Sequence, residues 1–472
     1  KKQLKILGII FKNNESASNV QENWIKRMEM VERIIAQWAK RNLSMFGKLC
    51  IIKTFMISQF VYPMQALIMP QHIITKLNTI LFRFLWKRKY SNKKAFEKVK
   101  RVVICNSREE GGIQMINMED MQTSFLLAWI ANLNESGSEK WRILPIWTMN
   151  SLGYKLACLH ASVTSKRFIG LDKIKLGFWK QALCKWLDNK NLWLNSKSNF
   201  LNQCLWNNCL VQYKNKPLCF EKWARGDIIY VKDIWKDDDI VPMDQICARL
   251  GNSPTRMFEF CALRTALMSL RLKHDNVNNQ NTCDIFENRN PCTITPRSFR
   301  LLITKGKAVE PCAQKFWLNK YNVNFNKFNW TVAYSSTKEE RLRLLHWKIL
   351  HNIYPTNILL HKMGLRDNNR CSYCLNTDYI EHFFYQCGQI KRFWTHCISY
   401  IYKRTNQQIL LTETEVLFGY RTDQTKLLFV RFVNHVILIA KMVISKFRYW
   451  HYIEICTLFD FEIEARKKYL NV

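Results

Sequence analysis

Acidic residues are scarce in this sequence. Of its 472 residues, 37 are Asp or Glu and 72 are Lys or Arg, which gives a formal net charge of +35 at pH 7. Such an excess costs self-repulsion, and a polyanion relieves it by releasing its counterions. Nucleic acid is therefore the predicted partner, and a soluble basic protein or docking on anionic lipid are the alternatives.

Long apolar runs and a secretory leader are missing as well. Lys48, Lys53, Arg431 and Lys441 interrupt the most apolar segments before any reaches the roughly 18 residues of a membrane span. The 17 cysteines are scattered and odd in number, which does not indicate a disulfide framework. The sequence predicts an intracellular protein without membrane insertion. Its start at Lys1, without Met, suggests a piece of a longer protein.

The spacing of apolar residues predicts a mainly α protein. Repeats and low-complexity tracts are absent, and 48% hydrophobic residues suffice for a large core. Apolar residues that recur every three or four positions predict helices. The segments LKILGIIF and RVVIC predict short strands. The predicted helices cover residues 21–41, 44–66 with Ser44 as N-cap, 71–86, 118–134, a segment that starts after Thr295, 338–353 and a basic final helix at 426–450.

A basic run follows the third predicted helix. Residues 87–101 carry eight Lys or Arg and one Glu. A solvated charged face is one interpretation, and its place in a cationic chain favours phosphate contact. The predicted nucleic-acid contacts here are Lys87, Arg88, Lys89, Lys93 and Lys94.

Three consecutive acids raise the possibility of a metal-dependent enzyme. Asp237, Asp238 and Asp239 could hold catalytic magnesium if their geometry were fixed. Their polar surroundings favour a solvated loop instead. No catalytic residue is predicted.

One cluster has the spacing of a zinc site, Cys371-x2-Cys374-x7-His382-x4-Cys387. Zinc takes four N or S donors in a tetrahedron, and two thiolates of a CxxC approach it from one turn. Because all four donors come from protein, the zinc is predicted to be structural. His382 and Cys387 lie five residues apart, so a helix must start or unwind near one of them. Buried cysteines or a redox CxxC are the alternatives, with His396 and Cys397 as substitute ligands.

Rings and cations follow the cluster. Lys391, Arg392 and Trp394 are predicted to contact phosphates and bases, although some of the neighbouring rings must pack the core of the zinc knuckle.

Several segments together resemble one known family. They are ILG at 6–8, W-x2-R-x-LS-x2-GK at 38–48, FLW at 84–86, EGGI at 110–113, KWARGDIIYVKDIW at 222–235, and HWKILHNIYPT at 346–356 followed by the zinc pattern. In this order they resemble the end of the palm, the thumb and the zinc-binding region of a non-LTR (LINE-type) retrotransposon reverse transcriptase.

The resemblance implies functions and domain limits. Thumb helices of the family hold template and primer, which implies backbone contacts for Arg41, Lys48 and Lys53. The zinc region of the family binds element RNA or target DNA during target-primed reverse transcription, in the nucleus and in cytoplasmic ribonucleoprotein. The implied domains are the palm end at 1–20, thumb helices at 21–135, a helical connector at 136–294, a helical region with the zinc knuckle (371–387) at 295–400, and C-terminal helices at 401–472.

The sequence also departs from this family. No aromatic-x-Asp-Asp hairpin is present to hold the polymerase metals, and the endonuclease residues are missing. The prediction is a noncatalytic portion that binds RNA and DNA and works with the remainder of a reverse transcriptase. One alternative is a repurposed zinc protein-interaction module, and another is a metal-dependent nuclease.

Overall fold

A computed structural model describes most of the chain. The described residues are 3–12, 21–86, 97–133, 140–152, 159, 163–192, 200–251, 257–275, 295–321, 329–421, 427–448 and 454–466. Helices dominate them, which confirms the prediction of a mainly α protein.

The helices agree with the apolar spacing in most places. In chain order they are α1 (Lys26–Ala39), α2 (Met45–Ile51), α3 (Ser58–Ala66), α4 (Gln71–Trp86), α5 (Arg101–Cys105), α6 (Met118–Leu133), α7 (Ile143–Asn150), α8 (Gly177–Asn189), α9 (Glu221–Arg225), α10 (Met243–Arg249), α11 (Met257–Asp275), α12 (Pro296–Gly306), α13 (Cys312–Tyr321), α14 (Val332–Ser336), α15 (Glu340–Leu350), α16 (Asn357–Lys362), α17 (Gly388–Thr405), α18 (Glu413–Phe418), α19 (Leu427–Phe447) and α20 (Ile455–Glu464). Ser44 caps α2 by accepting a hydrogen bond from the Gly47 N–H at 3.0 Å, as predicted.

Among the described residues, the strands form three short antiparallel hairpins. They are β1 (Gln3–Ile6) with β2 (Ile9–Lys12), β3 (Gln212–Tyr213) with β4 (Lys216–Pro217), and β5 (Trp235–Lys236) with β6 (Asp239–Ile240). The prediction of one buried strand at LKILGIIF is wrong. Leu7 and Gly8 both have positive φ, so the chain reverses there, and Leu4 and Leu7 are exposed.

The chain divides into two compact units, each built from separate stretches. The first consists of residues 1–27, 59–77 and 117–306, and the second of residues 28–58, 78–116 and 307–472. These limits differ from the domain boundaries that the resemblance implies, and those boundaries stay a prediction.

The core of the first unit contains the middle segment of the resemblance. In KWARGDIIYVKDIW, Trp223, Ile228, Val231 and Ile234 are all buried. The Asp233 carboxylate accepts hydrogen bonds from the backbone N–H groups of residues 229 and 230. This segment therefore packs a hydrophobic core, in which α6 contacts α8 and α12.

The three consecutive acids lie at the hairpin of β5 and β6. Asp237 and Asp238 form its turn with positive φ. The exposed Asp238 pairs with Arg271 and the half-exposed Asp239 pairs with Arg264, and these arginines lower the pKa of both carboxyls. Arginine pairs occupy these carboxylates, which does not favour a magnesium site.

The core of the second unit surrounds α19, which packs against α14, α15, α17 and α20. Helix α19 is not the last helix, since α20 follows it. It has the length and composition of a membrane span, with a mean hydropathy of 2.0, despite Arg431 and Lys441. The bent pair of Met45–Met56 and Ser58–Ala66 meets the same criterion. Of the apolar window in α19, 72% is buried within the fold, as expected of a core helix.

The EGGI segment packs against α15. The Gly111 carbonyl accepts the Trp347 indole N–H at 2.9 Å and lies 2.8 Å from His351 Nε2. Before this turn, RVVIC forms the short helix α5, so the predicted strand is wrong. The β-branched run fits a helix here because Val103 and Ile104 both reach the core.

Lys441 is a fully buried cation in the middle of α19. Its Nζ lies 3.1 Å from His346 Nδ1 and donates to the Leu417 carbonyl at 3.1 Å. Among the residues with described positions, no carboxylate pairs with it. Burial lowers the pKa of Lys441 from 10.5 to about 7, because the charged form loses its hydration.

We expect Lys441→Met to reduce the rise of stability with pH to which Lys441 contributes. The folded-state pKa of Lys441 lies below the unfolded value, so the unfolded chain binds the extra proton between about pH 7 and 10.5. Wild-type stability should therefore rise with pH in this window, by up to about 1.4 kcal/mol per pH unit. Urea unfolding at pH 7, 8 and 9 measures the slope. An equal slope in Lys441→Met would contradict the assignment, and the exposed Lys403→Met is the control.

Candidate metal centre

The first two cysteines lie on a tight turn. The Leu375 N–H donates to the Cys371 carbonyl at 3.0 Å, and the Cys371 N–H donates to the Asn376 carbonyl at 2.7 Å. Leu375 has a φ of 60°, which closes the turn. This geometry places the thiols of Cys371 and Cys374 on one side of the loop, as the CxxC spacing predicts.

The other two donors lie at the two ends of a π-helix, with His382 as its first residue and Cys387 just after its last. Residues His382–Gln386 form this single wide turn, in which the Cys387 N–H donates to the His382 carbonyl at 3.2 Å. Cys387 has an extended ψ of 130° and directly precedes α17. A π-turn aligns residues five apart, so His382 and Cys387 face the same side. The prediction that the helix must start or unwind near one of them is confirmed.

The four predicted ligands converge. One donor atom from each of Cys371, Cys374, His382 and Cys387 lies within 4.8 Å of the others, and Cys374 Sγ is 3.1 Å from His382 Nε2. Zn–S and Zn–N bonds of about 2.3 and 2.0 Å place tetrahedral donors roughly 3.5 to 3.8 Å apart, so small shifts of these side chains would give tetrahedral zinc coordination. Three thiolates and one imidazole fill four positions. The cluster fits a structural zinc ion, and zinc is the cofactor.

A buried arginine just after the end of α19 donates hydrogen bonds to this cluster. Arg448, just after the helix, donates from Nη1 to Cys371 Sγ and to Asp378 Oδ1, both at 3.1 Å. Its Nη2 donates to the Phe383 carbonyl at 3.1 Å, on the π-turn. Asp378 is 1% exposed and also accepts the Asn357 N–H. Arg448 therefore joins the cysteine turn to the π-turn.

Sequence reasoning missed Arg448. It lies 61 residues beyond Cys387, and the spacing carries no signal that relates a basic residue so far away to a metal ligand. Only the packing of α19 under the cluster brings them together.

The surroundings affect the protonation of three ligands. Burial raises the pKa of the Cys371 thiol, but the backbone N–H groups of residues 373 and 374 and the charge of Arg448 lower it below its usual value overall. Burial and the neighbouring Cys371 raise the pKa of Cys387 to about 11. Burial and Arg448 lower the pKa of His382, which favours the neutral imidazole that a metal requires.

We expect Arg448→Lys to weaken zinc binding by about 10-fold, within the range known for residues that support metal ligands. Lysine keeps the charge but cannot donate to Cys371, Asp378 and Phe383 at once, because it lacks the planar fork. Competition with a chromophoric chelator measures the affinity. Arg392→Lys, on the exposed face of α17, should leave it unchanged. Equal affinities for both variants would refute the supporting role.

The substitute ligands and Trp394 have other positions. Cys397 is 0% exposed in the core, and His396 Nε2 lies 3.0 Å from Asp460. Trp394 is 2% exposed, and its indole N–H donates to the Phe384 carbonyl at 2.8 Å. This burial leaves no ring face for a base, so the structure argues against the predicted nucleic-acid contact of Trp394 and in favour of the core alternative.

The predicted cationic contacts differ in their surroundings. Lys391 and Arg392 are exposed on α17, and Arg41 is exposed with its guanidinium 4.8 Å from the centre of the Trp38 ring. Lys48 and Lys53 are half-buried. Lys87, Arg88, Lys89, Lys93 and Lys94 lie outside the described residues. Nucleic-acid contact by these cations stays a prediction.

Two comparisons with known proteins bear on this site. Residues 302–394, which include all four ligands, match a family described as zinc-binding in reverse transcriptase. A putative ribonuclease H protein from Arabidopsis thaliana is 26% identical over 128 residues, which cover 26% of this chain and 19% of that relative. These findings confirm the coarser part of the prediction, a protein related to reverse transcriptases with a zinc-binding segment.

Proposed function

We propose that this chain is a noncatalytic, nucleic-acid-binding portion of a non-LTR retrotransposon reverse transcriptase. Its thumb helices would hold template and primer, and its zinc region would bind element RNA or target DNA during target-primed reverse transcription. The remainder of the reverse transcriptase would supply the palm carboxylates. The proposed locations are the nucleus and cytoplasmic ribonucleoprotein.

One observation carries the proposal: a Cys3His zinc cluster within a segment similar to reverse transcriptase zinc regions, in a chain of net charge +35. The zinc supplies no open position for catalysis, because protein atoms fill its four places. It acts by fixing the π-turn and α17, which present Lys391 and Arg392 to solvent. Exposed cations on a rigid scaffold suit phosphate contact.

Two alternatives are weaker in the structure. A nuclease at Asp237 to Asp239 is disfavoured because arginines pair with two of these carboxylates. A protein-interaction module would find exposed apolar side chains at Ile143, Leu144 and Trp147 on α7, but α7 belongs to the first unit and the zinc cluster to the second. Pull-downs that survive nuclease treatment would support that module.

We expect RNA affinity to fall steeply with salt. Each phosphate that the protein neutralises releases counterions, so six contacts would weaken binding by about 10³-fold between 50 and 200 mM salt. Filter binding with a single-stranded RNA, in the zinc-loaded protein, gives the slope. Affinity that does not change with salt, or no binding at 50 mM, would refute the proposed function.

A further inference from the structure

A polar pocket of 620 Å³ opens beside the zinc site, between the end of the cysteine loop, the π-turn and the start of α17 and α18. Its volume lies within the range of small-molecule sites. The residues that matter in its lining are Asn376, Tyr379, His382, Gln386, Lys391 and Glu413. The zinc site uses only His382 of these, so the pocket has no assigned role.

The wall of the pocket is a fixed chain of hydrogen bonds. The Tyr379 hydroxyl donates to Gln386 Oε1 at 3.0 Å, and Gln386 Nε2 donates to Glu413 Oε2 at 2.8 Å. The Tyr321 hydroxyl donates to the other oxygen of Glu413. The Gln386 amide is therefore held in one orientation. Groups held in advance cost little entropy when a ligand binds.

The ammonium group of Lys391, which lines the pocket, can bind an anion. Lys391 is exposed, and within the described part of the chain its amine forms no ion pair. Glu413, the nearest carboxylate in the lining, is already engaged by Gln386 and Tyr321. An ammonium of this kind suits a phosphate oxygen.

We propose that the pocket receives one unpaired nucleotide of a bound single strand, with its base at Gln386 and Glu413 and its phosphate at Lys391. Fixed amide and carboxylate groups can bind the Watson–Crick edge of a base only where the base is unpaired, because base pairing occupies that edge in a duplex. The inference rests on the proposed function and deepens it by naming the substrate class, single-stranded nucleic acid.

The first test compares two neighbouring cations. Fluorescence anisotropy with a 15-nucleotide single-stranded RNA, and with the duplex of the same sequence, is measured on the zinc-loaded full chain. Lys391→Gln should weaken single-strand binding by about 10-fold, the size expected for losing one hydrogen bond to a charged phosphate. Arg392→Gln removes the same charge one residue away, outside the pocket lining, and should cost about 2-fold. Equal losses in the two variants would overturn the pocket assignment.

The second test leaves the charge unchanged. Gln386→Leu should weaken single-strand binding by about 10-fold and leave duplex binding unaltered, because it removes the amide that contacts the base together with its hydrogen bonds to Tyr379 and Glu413 in the pocket wall. Zinc content of one ion per chain confirms that the neighbouring Cys387 still binds. If Gln386→Leu does not fold, the Lys391 and Arg392 comparison decides.

The outcomes separate the two proposals. If the wild-type protein binds neither RNA at low salt, the proposed function fails. If it binds single strand and duplex equally, and Gln386→Leu changes nothing, the pocket fails while the proposed function stands.

Discussion

Cys387→Ser should lose the zinc ion and destabilise the second unit by at least about 5 kcal/mol, since structural zinc supplies folding free energy directly. Cys387 is 1% exposed between the π-turn and α17, and it belongs to the hydrophobic core built around α19. Without the ion, three ligands lose their common partner and α17 loses its anchored start. Elemental analysis and urea unfolding measure both effects.

Cys397→Ser is the matched control for this experiment. It makes the same substitution ten residues later, at a cysteine that is 0% exposed but not part of the cluster. It should cost about 1 to 3 kcal/mol for a buried hydroxyl and keep one zinc ion per chain. Zinc that is retained in Cys387→Ser, or lost in Cys397→Ser, would refute the ligand assignment.

Gly112→Ala should lower the free energy of unfolding by about 4 kcal/mol or more, a size that substitutions reach only when they disrupt the backbone or the core. A Cβ at this position would lie 2.1 Å from the Asn106 carbonyl oxygen and 2.7 Å from that of Val103. Both are backbone atoms, so no side chain can rotate away. The turn would have to open, which removes the Gly111 carbonyl from Trp347 and His351.

Gly177→Ala is the control for Gly112→Ala. Gly177 begins α8, and a Cβ there would meet no atom within 4 Å. Alanine favours a helix over glycine by up to about 1 kcal/mol, so this variant should be neutral or slightly more stable. Urea unfolding midpoints compare the two variants, and an unchanged midpoint for Gly112→Ala would show that the turn has another shape.

The sequence predicted those features that local patterns determine. The spacing of apolar residues predicted α1, α4 and α6 closely. Ser44 was predicted as an N-cap from its residue type just before a helix. The zinc ligands were predicted from the spacing of cysteine and histidine that zinc coordination requires. Each of these depends on residues close together in the chain, where spacing in the sequence constrains spacing in space.

Features that depend on tertiary packing could not be predicted. RVVIC has the β-branched residues of a strand, but α5 buries them. Trp394 was predicted to contact a base, and only the fold places it inside the core. Lys441 interrupts an apolar segment in the sequence, and only the fold shows that its side chain is buried. The cysteine spacing required a break near His382 or Cys387 without specifying a π-turn.

The hydrogen bond between Trp347 and Gly111 joins residues 236 positions apart, and it affects how the protein is made. At 5 to 20 residues per second, a ribosome needs on the order of 10 to 50 s to synthesise the intervening chain. During that time the apolar sides of α2 and α5 have emerged before their core partners exist. We therefore expect nascent chains to depend on chaperones, and polypeptides that end before residue 347 to aggregate.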